Sequence, residues 1–108
     1  MFRPTFFLLT AFFAAMILSA SPAAAHTPLC SCYDNGDDTV TCEGGFSDGS
    51  SASGVKVRVE KAGGGVLLDG KMDADSEFNF KKPDEAYKFV FDAGEGHVIT
   101  IDGKDIVN

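Results

Sequence analysis

The side chains able to do chemistry in this chain are few: two histidines, His26 and His97, and three cysteines, Cys30, Cys32 and Cys42, in 108 residues. If the chain is cut just before His26, the new α-amine and the imidazole Nδ1 of that residue can together close a chelate ring on a divalent metal. An α-amine titrates near about 7.7–8.0 and an imidazole near about 6.5, so a metal ion displaces protons from both at neutral pH. His97 follows Gly94-Glu95-Gly96 and shares parity with Ile99 and Ile101, which places it at the rim of a strand. Converging, the two histidines and the amine would offer three nitrogen donors, a set suited to nickel, cobalt, copper or zinc. The amino-terminal copper/nickel pattern with histidine third in the mature chain is absent, because position 28 is proline.

The cysteines form an odd set, which in an oxidising compartment implies one bridge and one thiol left over. Cys30 and Cys32 point the same way on one strand, and Cys42 shares parity with Val40. In a hairpin centred near Gly36-Asp37, Cys42 falls opposite Cys32 or, with a slipped register, opposite Cys30. The competing use of these sulfurs is a soft ion such as copper(I). The acidic turns Asp34 to Asp38 and Asp73 to Glu77 lack the twelve-residue calcium loop with its terminal glutamate, and read as solvated turns. Gly44 to Ser51 is rich in glycine and serine but lacks the lysine of a phosphate loop. No serine, cysteine or carboxylate pair has a partner histidine in a suitable setting, so an enzyme is not expected.

Everything about His26 depends on processing. Arg3 precedes an almost wholly apolar run from Thr5 to Ala20, followed by Ser21-Pro22-Ala23-Ala24-Ala25. That layout is a secretory signal: the run is shorter than the roughly 18–20 residues of a membrane span, and small residues at Ala23 and Ala25 suit a signal peptidase. The expected organisation is a signal peptide over residues 1–25, forming a signal helix, and one domain over residues 26–108. The product is exported, periplasmic or secreted, with no stable membrane insertion after cleavage. Losing Arg3 moves the formal charge from −7 to −8. Such an acidic domain is a poor partner for nucleic acid or anionic membranes and is compatible with attracting cations.

The remaining chain must position the candidate ligands, and its pattern is all-β. Asn35-Gly36 is a hairpin signal because both residues tolerate positive φ. Val55, Val57 and Val59 alternate with Lys56, Arg58 and Glu60, the pattern of a strand wet on one face. Gly63-Gly64-Gly65, Asp73-Ala74-Asp75, Pro83-Asp84 and Gly94-Glu95-Gly96 punctuate the rest into seven short strands, the number of an immunoglobulin-like or transthyretin-like sandwich. If every connection reverses direction, the mature N-terminus, the loop around Asp48, the Asp73–Asp75 turn and the turn before His97 gather at one end.

Phe46-Ser47-Asp48-Gly49-Ser50, Val55-Lys56-Val57-Arg58-Val59, Leu68-Asp69-Gly70-Lys71-Met72-Asp73, Ser76-Glu77-Phe78-Asn79-Phe80-Lys81 and Asp92-Ala93-Gly94-Glu95-Gly96-His97 resemble, in order, the small exported components that accompany nickel and cobalt uptake transporters of the energy-coupling-factor type. The likeness spans about residues 26–101. It implies a carboxypeptidase-regulatory-like or transthyretin-like β-sandwich that begins with a ligand histidine. His26 and His97 are then the candidate metal ligands, a membrane metal transporter the partner, and nickel or cobalt the ion, with copper an alternative. The chain departs from that group in its cysteine-rich opening, Leu29 to Tyr33, and in stopping at Asn108 without the membrane-anchoring helix often found after the sandwich. Two other readings stand beside this one: a structural or interaction module binding protein or glycan, and a copper-handling or thiol-redox protein using its cysteines.

Overall fold

The structure, a computed structural model, describes residues 27–108. The expected signal peptide and signal helix over residues 1–25 and the candidate ligand His26 lie outside the described residues. Seven strands follow in order: β1 (Pro28–Asp34), β2 (Thr39–Phe46), β3 (Lys56–Lys61), β4 (Val66–Lys71), β5 (Glu77–Lys81), β6 (Tyr87–Asp92) and β7 (Val98–Asp102), with a short 3₁₀ turn over Gly103–Asp105. All pairings are antiparallel, in a three-stranded sheet of order β1-β2-β5 and a four-stranded sheet of order β4-β3-β6-β7. The all-β expectation and the strand number therefore hold.

The period-two pattern explains the packing. Val57 and Val59 of β3 and Phe89 and Phe91 of β6 turn inward, as do Val40, Cys42 and Phe80 of the other sheet, and all are buried in one core. Phe80 of one sheet stacks on Phe89 of the other, with ring centroids 5.7 Å apart. Burying each such ring stabilises the fold by roughly 1.5–3 kcal/mol. The sheets approach closely where the sequence omits a side chain: a Cβ on Gly44 would come within 2.5 Å of the Phe91 ring. At that site glycine is required for space, since its φ is unexceptional.

The β1–β2 connection is the expected hairpin, with residues 35–38 between the two strands. The residues with positive φ are Gly36 and Asp38, not Asn35. The Asp34 carboxylate accepts from the Gly36 N–H at 2.8 Å and the Asp37 carboxylate from the Thr39 N–H at 3.2 Å. Asparagine's tolerance of a left-handed conformation is therefore not used here, and aspartates that hydrogen-bond the backbone two residues on shape the loop.

Candidate functional site

The first described residue is pinned. The Thr27 N–H donates to Ser47 Oγ at 3.0 Å, and the Ser47 N–H donates back to the Thr27 carbonyl at 2.9 Å. This ties the residue immediately after His26 to the end of β2. Phe46, which precedes Ser47, packs its ring 6.1 Å from that of Phe91 and shares a shallow groove with Val55, Asp92, Ala93 and Gly94. The start of the described chain and the β6–β7 turn therefore belong to the same end of the molecule. The two other expected loops meet there as well. Ala52 N–H donates to Ser76 Oγ at 2.9 Å, and Gly54 N–H to the Met72 carbonyl at 2.9 Å. Strict alternation of strand direction produces this gathering.

The turn carrying His97 is built from local chemistry. Gly94 and Gly96 have φ of 111° and 80°, a region L side chains avoid, so glycine there is a backbone requirement. His97 N–H donates to the Gly94 carbonyl at 2.8 Å, and Ala93 N–H to the His97 carbonyl at 3.0 Å. The Asp92 carboxylate accepts from the Gly94 N–H at 3.0 Å and from Arg58 Nη1 at 3.2 Å. Those two donors, the backbone one first, hold the Asp92 carboxyl below its ordinary range. His97 is half-buried, and its Nδ1 lies 3.1 Å from the Glu95 carbonyl. A carbonyl only accepts, so the neutral tautomer that makes this bond carries its proton on Nδ1 and leaves the Nε2 lone pair for another partner.

The acidic turns are occupied with their own backbone. Asp73 Oδ1 accepts from the N–H groups of Asp75 at 2.8 Å and Glu77 at 3.0 Å. Among the described residues no group of three or more histidine, cysteine, aspartate or glutamate side chains is arranged to hold a metal ion. The only described histidine is His97, and its expected companion His26 lies outside them.

The cysteines resolve into one of the two pairings left open by parity. Cys32 and Cys42 face each other across β1 and β2 and form a disulfide. Cys30 is opposite Gly44 and remains a free thiol. Burial pushes the Cys30 thiol up to about 11, so it stays protonated at neutral pH. Thiolate is the metal-binding and nucleophilic form, which leaves this sulfur a weak ligand as it stands.

Ser47 is a positioning residue that sequence reasoning missed. Its position directly after a strand ending in phenylalanine, facing the chain start across an antiparallel pair, is the signal that could have found it. No protein-family model matches the chain, and no curated protein and no solved structure matches it.

Proposed function

We propose that this is an exported protein that binds a divalent transition metal, nickel or cobalt first, and presents it to a membrane uptake transporter. The observation that carries the reading is the Gly94–His97 turn: its histidine has Nδ1 committed to the Glu95 carbonyl, and it lies at the end where Thr27 is anchored. A ligand histidine generally donates its other ring N–H to a carbonyl or carboxylate, which fixes the tautomer and the ring direction. Cleavage before His26 would add an amine and a second imidazole beside Thr27. Two or three protein ligands at a rim leave coordination positions open, through which a receiving site takes the ion by ligand exchange. The protein makes no covalent change.

The Cys32–Cys42 bridge fits an oxidising, exported setting. No helix among the described residues is long and apolar enough to cross a membrane. Within this reading the two sheets form an immunoglobulin-like or transthyretin-like sandwich, with β4 placed beside β3.

The test is calorimetric titration of Ni²⁺, Co²⁺, Cu²⁺ and Zn²⁺ into two preparations, one starting at His26 and one carrying an extra residue before it. The extension destroys the amine–imidazole chelate and leaves the fold intact. Binding lost on extension and weakened by His97→Ala supports the reading; equal binding by both preparations removes the terminal site.

A further inference from the structure

The side of the molecule formed by β4 and β5, the outer strands of the two sheets there, is closed at one end only. At that end the Phe78 ring packs on Gly70, where a Cβ would come within 2.5 Å of it. At the other end Val59, Leu67, Leu68, Phe80 and Pro83 line an open groove of about 370 Å³. Val66, Leu67 and Leu68 are 52%, 38% and 42% exposed, three successive apolar side chains on an outer strand. Between Gly65 and Asp69 there is neither a charge nor a proline, the usual guards of a bare strand edge.

Successive residues of a strand ordinarily face opposite sides. The register shift opposite Val59 and Glu60 leaves Leu67 without a partner on β3, and both Leu67 and Leu68 line the groove as a result. A bulge that only blunted the edge would not also aim two leucines at one cavity. The outer strand adds a row of backbone donors and acceptors facing away from β3.

Charge selects the occupant. Residues 27–108 carry 8 basic and 16 acidic side chains, a net of −8, so a second copy is repelled. Asp84 and Glu85 are exposed at the mouth of the groove and form no ion pair among the described residues; with Lys81, also exposed there, the lining keeps one negative charge in excess. We propose that β4 and this groove dock an extended apolar segment of a partner protein flanked by lysine or arginine. The segment would add as a strand beside β4, seat an aliphatic side chain between Leu67, Leu68 and Phe80, and set its cation against Asp84 and Glu85. This is β-strand addition, in which main-chain hydrogen bonds supply affinity and the pocket supplies specificity. It requires nothing of the metal reading.

The experiment is an amide-shift titration of the isotope-labelled exported protein with the capped peptide Lys-Val-Thr-Val-Thr-Lys at millimolar concentration. Amides of residues 65–68 and 84–85 should shift, with less binding at high salt. A peptide with proline in place of its central threonine should not bind, nor should the Leu68→Lys variant. Asp84→Asn with Glu85→Gln, two exposed and conservative changes, should weaken binding up to about tenfold, the sum of two surface ion pairs. Three results would overturn the proposal: no shifts, shifts confined to another face, or equal binding of a glutamate-flanked peptide. Concentration-dependent shifts of β4 without peptide would instead seat a second copy there and also reject it.

Discussion

The hairpins β1–β2 and β3–β4 each place an outer strand on one sheet, and they are finished in opposite ways. The first keeps an unbroken register from Pro28 opposite Phe46 to Asp34 opposite Val40, with the Cys32–Cys42 bridge inside it. Its outer strand lies against β7, and its far end is tied by the Asp34–Lys82 ion pair at 2.9 Å and by the Asp34 N–H to the Val107 carbonyl at 3.0 Å. The second has a glycine triplet at its turn, a register shift, three exposed apolar residues and closure only where Phe78 meets Gly70. A small domain has limited apolar surface to bury. Here the disulfide and the Asp34–Lys82 pair secure one outer strand, whereas the ion pairs of the other sheet lie within β3 or join it to β6 and, among the described residues, none reaches β4.

Removing the staple should have the largest effect. The bridged residues are 10 apart in sequence, and closing so short a loop is worth about 3 kcal/mol in the chain-entropy model. Replacing both Cys32 and Cys42 by serine should lower the unfolding free energy by about that amount, read from the urea midpoint at constant slope. An unchanged midpoint would mean that the first hairpin is no better secured than the second. The next effect belongs to the open side. Gly70→Val pushes a side chain into the Phe78 ring, which is itself packed against Phe80 and Phe89 with centroids 6.1 and 6.2 Å away. Overpacking of this kind costs roughly 1–3 kcal/mol. The same exchange at Gly63, where a Cβ would meet nothing within 4 Å, should cost far less. Equal losses at the two glycines would show that the Gly70–Phe78 contact does not close the seam.

The strands were legible because each carries its alternation in consecutive residues: Val57 and Val59 inward against Arg58 outward, Phe89 and Phe91 inward against Lys88. Parity also placed Cys42 inside and narrowed its partner to two. Choosing between Cys30 and Cys32 needed the hairpin register, which Asn35-Gly36 does not fix by itself and which the pairing of Cys32 with Cys42 settles. The bulge at Leu67 left no trace in the sequence. It depends on how β4 meets β3 while leaning over Phe80, a contact between segments that no local pattern encodes. The gathering of four loops at one end followed from alternation alone. The bond from Thr27 to Ser47 did not, since it joins residues 20 apart through a pairing register.

The smallest effect should be acid sensitivity confined to the stapled side. Lys82, and after it the Gly36 N–H, hold the Asp34 carboxyl below its ordinary range. A carboxyl whose folded pKa is depressed contributes stability that is present above its unfolded value of about 3.9, and that contribution is lost as pH falls through the folded pKa. Amide exchange at Asp34, whose N–H bonds the Val107 carbonyl, and at Asn35, bonded to the Thr39 carbonyl, should accelerate in that window beyond the intrinsic trend. Amides of β4 should not, because among the described residues no carboxylate ties that strand to a neighbouring element in the same manner. Lys82→Met should flatten the response at Asp34 and leave β4 as it was. If β4 loosens first on acidification, the ion pair is a surface contact of no consequence, and the contrast between the two sides rests on the disulfide alone.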